Sequence, residues 1–421
     1  MRLPIPRDLR ELPREVGALV AVAFAVAIGF GIVAPAIPGF ARNFGVGRAA
    51  AGAVISAFAF ARLASALFGG RLVDRFGERD ILALGIGIVA VSSALAGLAQ
   101  NYTQLIVLRG VGGVGSAMFT VSALSLLLRS VRPDQRGKAS GMFTGGFLLG
   151  GIAGPVLGGF IVDVSIRLPF FLYAGTLAVA GTIGLTMLPR EPSRSKASVL
   201  DRPERVSLGQ ALKNPAFRAA MITNFADQWA VLGVRFVLVP LYVVEQLDRG
   251  AIWIGIGFAI VAGVNALMLL PSGRFADRHG RKPVMIGGCV ISAAAMVILA
   301  FEQSLPGYLL AMLVLGIGSG MLDVAPAAVV GDVIGGGGGR PVAAYQMAGD
   351  TGTVFGPVIT GHIVDATSYK AAFATTGGVL AAAAMLVALA PETFRGSAQR
   401  DGEVGEQVVD VLQTDRKPDQ V

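Results

Sequence analysis

The chain has 421 residues, 54% hydrophobic and 15% charged, with a mean hydropathy of +0.68 and a formal net charge of +8. A soluble domain carries about 25% charged residues, so this composition excludes a water-covered globular chain, a disordered one and a collagen-like one, and makes lipid the main solvent. The single cysteine, Cys289, excludes an internal disulfide, and the two histidines, His279 and His362, are too few for a histidine-rich metal site.

At the N-terminus, Arg2, Arg7, Arg10 and Arg14 precede an apolar run of about 25 residues. That exceeds the ~7–15 residues of a signal-peptide core, so no cleaved leader is expected. A membrane helix needs about 20 mainly apolar residues. Such runs predict helices near 16–40, 49–70, 81–99, 104–128, 137–161 and 169–188. A second set falls near 217–244, 251–273, 284–302, 307–331, 342–364 and 371–390. The expected fold class is an all-α polytopic membrane protein with twelve transmembrane helices. Its expected divisions are a cytoplasmic N-terminus over 1–15, a six-helix bundle over 16–188, a cytoplasmic linker over 189–216 and a second six-helix bundle over 217–390. A charged, disordered cytoplasmic tail is expected over 391–421, and Gly335–Gly339 reads as a flexible loop.

With the N-terminus inside, the cytoplasmic segments hold 27 of the 35 Lys and Arg. Outer loops hold Arg42, Arg48, Arg167, Arg249 and Lys370, and the spans themselves hold Arg62, Arg109 and Arg235. Cytoplasmic enrichment of basic residues sets orientation, so both termini are expected in the cytoplasm of a multi-pass cell-membrane protein. The basic balance then reflects topology, and no nucleic-acid partner is expected.

The two halves repeat at an offset of about 202–203 residues. Gly70-Arg71-Leu72-Val73-Asp74-Arg75-Phe76-Gly77 returns as Gly273-Arg274-Phe275-Ala276-Asp277-Arg278-His279-Gly280. Gly154-Pro155-Val156, Gly159 and Ile161-Val162-Asp163 return as Gly356-Pro357-Val358, Gly361 and Ile363-Val364-Asp365. Two parallel six-helix repeats around an axis along the membrane normal suit a carrier whose substrate path lies between the halves.

Three stretches carry a resemblance. Gly70, Asp74, Arg75, Gly77 and Arg79 resemble the loop signature between the second and third helices of the major facilitator superfamily. Gly273, Asp277, Arg278, Gly280, Arg281 and Lys282 match it better, because Glu78 stands at a usually basic position in the first copy. Gly150-Gly151-Ile152-Ala153-Gly154-Pro155-Val156-Leu157-Gly158-Gly159 resembles the fifth-helix antiporter signature of that superfamily. Glycines four residues apart make a flat face for a close neighbour, and proline bends the span. Arg109-Gly110-Val111-Gly112-Gly113-Val114-Gly115 resembles the fourth-helix antiporter signature, with Gly112 in place of the usual Gln. The chain thus resembles the twelve-helix drug:proton antiporters from about Val16 to Pro391. The resemblance implies the major facilitator fold, with helices 1, 4, 7 and 10 lining a central cavity and helices 2, 5, 8 and 11 joining the halves.

A charge at mid-bilayer costs about 2.5–3.5 kcal/mol on insertion scales, so each intramembrane charge needs a reason. A rise of ~1.5 Å per residue places Asp227 roughly 15 Å, and Asp323, Asp350 and Arg62 roughly 12 Å, from the cytoplasmic helix ends. Desolvation and a nearby arginine act in opposite senses on a carboxyl, and rocking changes both. Asp227, Asp323 and Asp350, in that order, are therefore the candidate proton carriers, with Arg62, Arg109 and Arg235 as their intramembrane basic partners. Helix 1 has no acid between Val16 and Phe40, which moves proton coupling into the second half. Phe119, Phe143, Trp229, Phe236 and Phe258 are candidate cavity aromatics, and Asn224, Gln228, Asn265 and Gln346 are candidate polar contacts.

The leading functional expectation is export of amphipathic small molecules in exchange for protons by rocker-switch alternating access. The alternative is proton-coupled uptake of a small, possibly anionic, metabolite, and a lipid flippase stays open. Ser116, His362 and Asp323 do not make a catalytic triad, because His362 lies near the outer end of helix 11 and Asp323 towards the inner side. A monomer is expected, with protons, a small-molecule substrate and the lipid bilayer as partners. No cofactor or metal is expected beyond the proton as coupling ion.

Overall fold

The computed structural model describes residues 13–131, 135–189, 206–334 and 339–393. Most of the expected N-terminal segment, most of the linker, the expected disordered tail beyond 393 and most of the Gly335–Gly339 loop lie outside the described residues. Twelve long rods and one short helix, Leu208–Lys213, make up the described chain. The first six are α1 (Arg14–Arg42), α2 (Arg48–Phe76), α3 (Glu78–Gly97), α4 (Tyr102–Ser130), α5 (Arg136–Val164) and α6 (Leu168–Met187). The second six are α7 (Pro215–Glu245), α8 (Ala251–His279), α9 (Arg281–Phe301), α10 (Leu305–Ile334), α11 (Gly339–Ala366) and α12 (Tyr369–Leu389). Ten of them are long and apolar enough to cross a membrane by length and composition, and α2 and α11, the other two, have 29 and 28 residues and lie against each other. The all-α, twelve-helix expectation describes this architecture.

Local chemistry starts and stops the rods. Side chains of Asn101, Ser304 and Ser368 accept the first free N–H groups of α4, α10 and α12 at 2.9, 3.1 and 3.2 Å. Gly77 (φ +88°) and Gly280 (φ +104°) turn the chain from α2 to α3 and from α8 to α9, at equivalent places in the repeat. That backbone region is open to glycine at little cost.

The contacts repeat as the sequence does. In the first half α1 packs on α5 and α6, α2 on α4, and α3 on α4 and α6. In the second, α7 packs on α11 and α12, α8 on α10, and α9 on α10 and α12. Close backbone approach sits at matching positions: a Cβ on Gly85 would meet the Gly115 carbonyl at 2.6 Å, and one on Gly288 the Gly318 carbonyl at 3.1 Å. Gly85→Ala should therefore push α3 off α4 and destabilise the first half by about 1–3 kcal/mol, as overpacking does. A lower thermal midpoint in detergent checks this, with Gly110→Ala, which meets nothing within 4 Å, as the neutral control.

Three rods are irregular, two of them where charged residues lie. In α1 the helix turns at Ala34–Pro35. In α7 the ladder widens to a π-helix over Trp229–Leu238, directly after Asp227 and around Arg235. Pro240 follows and has no N–H for the Phe236 carbonyl. In α10 the helix stops at Leu322 and restarts at Ala325, because Pro326 clashes with the carbonyl four residues back and cannot bond to it. Asp323 stands in that break.

Candidate functional site

The halves meet along two pseudo-symmetric seams, α2 against α11 and α5 against α8. A Cβ on Gly52 would lie 2.5 Å from the Pro357 carbonyl, and one on Gly255 2.7 Å from the Pro155 carbonyl. Gly361 faces the backbone of Arg48 and Ala49, and Gly159 that of Ala251 and Gly255, in the same way. These glycines lie towards the face opposite the start of α1, the far face. The other glycines of the fifth-helix signature work within one half. Gly150, Gly154 and Gly158 sit against the backbone of α1 near Ile28 and Ile32. The Pro155 ring lies against Gly31 of α1, while its carbonyl and Gly159 face α8. One ten-residue stretch therefore serves both an internal contact and the seam.

At the near face the two loop signatures differ. Arg281 pairs with Asp277 and also reaches Asp332 at 3.4 Å. Gly273 lies 3.8 Å from Val324 by its would-be Cβ, and Arg278 is exposed. In the first copy, Glu78 is buried and bonds to Arg129 and Ser125 of α4, while Arg79 donates to the Leu185 carbonyl. Arg75 lies over the Phe76 ring at 5.3 Å. The side chains at Gly70 and Asp74 lie outside the described residues.

Within the second half, the irregular helices α7 and α10 bring charge together. Asp227, Asp323 and Arg235 share one electrostatic neighbourhood. Asp227 is the enclosed member, 6% exposed. Asp323, in the break of α10, has an exposed side chain. Asn265 Nδ2 donates to Asp323 Oδ2 at 2.7 Å and to Ser319 Oγ at 3.1 Å. Asn224 Nδ2 donates to the Tyr345 carbonyl at 2.8 Å, which ties α7 to α11 within the second half. Gln228 is half-buried and Gln346 exposed.

Asp350 stands apart from this group, in an ion pair with Arg62 that crosses from α11 to α2. Asn265, the repeat counterpart of Arg62, bonds instead within its own half. Arg109, expected to balance an aspartate, has a different neighbour: its guanidinium lies over the Phe58 ring at 4.6 Å. It is 3% exposed, and its Nε has no hydrogen-bond partner among the described residues. The Arg235 guanidinium lies over Phe236 at 4.7 Å.

The aromatic candidates divide between core and seam. Phe119 is buried in the first half beside Phe147, which Phe143 also touches at 5.3 Å between centroids. Trp229 is buried in the second half, with Nε1 3.4 Å from Thr376 Oγ1. Phe236 and buried Phe258 meet at 5.1 Å, and Phe30 of α1 joins Phe236 from the other half at 5.8 Å. Phe30, Tyr345 and Phe58 escaped the sequence reading. The signal for Phe30 was weak, an aromatic among aliphatics in an uncharged helix; that for Tyr345 was its place beside Gln346.

A model of the Major Facilitator Superfamily matches residues 19–268 and 228–413. Multidrug resistance protein 1 of Bacillus subtilis (strain 168) is 25% identical over 378 residues, 89% of this chain and 96% of that protein. Quinolone resistance protein NorA of Staphylococcus aureus is 29% identical over 181 residues, 43% of this chain and 46% of that protein. Among solved structures, a POT family transporter in complex with 5-aminolevulinic acid superimposes with a TM-score of 0.75 at 12% identity, covering 90% of this chain and 96% of that one. The nucleoside transporter NupG gives 0.72 at 14% identity, covering 90% and 100%. At these identities the two structures speak to fold alone.

Proposed function

Because the chain belongs to the Major Facilitator Superfamily of membrane transporters, we propose that it exports amphipathic small molecules in exchange for protons, by alternating access. The observation that carries this reading is the group formed by Asp227, Asp323 and Arg235. With both carboxyls ionised its charge is −1, and a net charge enclosed within the membrane is costly. One proton neutralises the group, and so does one cationic substrate. The two then compete for the same carboxylates, which couples release of one to entry of the other. Similarity to the two drug-resistance proteins supports efflux as the direction. The basic-residue bias supports a cytoplasmic near face and an outward far face.

Each proton crossing ~100 mV contributes about 2.3 kcal/mol. The near face loads the substrate and the far face releases it, after which a proton entering from outside resets the carrier. Asn265 holds Asp323 in place by its 2.7 Å bond, and the widened turn of α7 lets Asp227 and Arg235 move relative to each other.

A second reading, proton-coupled uptake of an anionic metabolite, draws on Arg109, whose buried Nε is unpartnered among the described residues. Inverted vesicles with an acid interior and a pH-sensitive dye separate the two. Proton release is expected on adding lipophilic cations. No release with any cation, together with uptake of organic anions by intact cells, would sink the export reading.

A further inference from the structure

The repeated triplets Ile161-Val162-Asp163 and Ile363-Val364-Asp365 end just past the two seams. Their carboxylates do the same thing in opposite directions. Asp163, near the end of α5, accepts the Ala251 N–H at the start of α8 at 3.1 Å. Asp365, near the end of α11, accepts the Arg48 and Ala49 N–H groups at the start of α2 at 3.0 and 2.9 Å. Each half thus caps a helix of the other.

Neither capped helix has a cap of its own. The residues before α2 and α8 are Gly47 and Gly250, which offer no side-chain acceptor. The first N–H groups of a helix have no partner within it and carry its positive dipole end. A carboxylate from the opposite half satisfies both needs, but only while the far face is closed. Parting the halves leaves two carboxylates and two helix starts to water.

The geometry points to Asp163 and Asp365 as a pair of positioning residues that hold the far face closed by capping α8 and α2 across the halves. The two are unequal. Around Asp365 the Arg48 guanidinium also reaches Asp365 at 3.3 Å, Glu245 at 2.6 Å and the Tyr369 hydroxyl at 3.1 Å. Arg42 adds a bond to Glu245 at 3.2 Å, and Tyr369 donates to Glu245 at 2.7 Å. Among the described residues, Asp163 bonds to the α8 start alone. Removing Asp365 therefore opens the face more than removing Asp163. Both act on the same closure, so their effects multiply when combined.

This rests on alternating access but needs neither a substrate nor a direction of transport. The test is a spin-label distance measurement on the full chain in lipid nanodiscs, with buried Cys289 replaced by Ala. Labels at Ser165→Cys and Arg249→Cys read the α5–α8 seam, and labels at Asn43→Cys and Thr367→Cys read the α2–α11 seam. Asp365→Ala is expected to raise the long-distance population at least about threefold, with Asp163→Ala raising it less and the double variant multiplying the two (a population ratio follows the free-energy difference between the two states). Asp365→Asn, which keeps an oxygen and loses the charge, should fall between Asp365→Ala and the parent. Unchanged distances in the folded asparagine variants, and in every alanine variant that folds, would overturn the proposal. Distances at both seams are read without a proton gradient, so failure of the export reading leaves this result standing.

Discussion

Asp227→Asn is expected to reduce compound-driven proton release to at most about a tenth of the parent, the factor that corresponds to ~1.4 kcal/mol. The substitution is nearly isosteric and removes a charge from an enclosed site, so folding and insertion should survive it. With Asn, the group at Asp227, Asp323 and Arg235 is neutral with no proton bound. A lipophilic cation then gains only Asp323, which Arg235 already balances, and should bind more weakly. Downhill exchange of a neutral compound should persist, because the seams are untouched. The pH-sensitive dye reads the first arm, and exchange of a radiolabelled neutral compound across the same vesicles reads the second. Full proton release from the Asn variant would remove Asp227 from the carrier role and move attention to Asp323. Loss of neutral exchange as well would mean that Asp227 supports structure instead.

Gly255→Val is expected to bring transport close to background while leaving each half folded. Even a Cβ at this position lies 2.7 Å from the Pro155 carbonyl and 3.2 Å from Gly159 Cα. Both neighbours belong to the other half. A larger side chain therefore meets nothing new inside its own bundle but prevents α8 from closing on α5. The carrier is then held with the far face apart. A thermal midpoint close to the parent, with flux lowered at least about tenfold, would show a block in the conformational cycle and not a loss of fold (overpacking inside a core costs about 1–3 kcal/mol, which the midpoint would register). Gly263→Val, at a glycine with nothing within 4 Å, should retain flux. Equal flux in both variants would mean that closure of this seam is not required.

The fold was legible from the chain because lipid imposes a simple rule: about 20 apolar residues make a span, and a repeated register makes a repeated bundle. The two loop signatures and the fifth-helix glycines were readable for the same reason, since small residues at fixed spacing have few other uses in a membrane helix. Partnership was far less legible. For Asp350 the sequence left a proton carrier and an ion pair with Arg62 both open, and it stands in that ion pair. Arg109 looked like a counter-charge and lies over Phe58. Linear depth ranks residues along a helix, but a pairing depends on which way each helix is turned, and an apolar sequence without strong amphipathic contrast does not encode that visibly.

What the sequence by itself determined is therefore the solvent, the number of spans, the duplication, the family resemblance and the short roster of intramembrane charges. Only the tertiary structure decided which charges meet. It also placed Asp227 just before a widened stretch of α7 and Asp323 in the break of α10. Finally, it turned two copies of Ile-Val-Asp into caps for helix starts 88 and 316–317 residues away in sequence. The physical reason is common to all three. Hydrogen bonds and ion pairs require atoms within about 3–4 Å, and that proximity arises only when twelve helices have been packed and the two halves closed on one another.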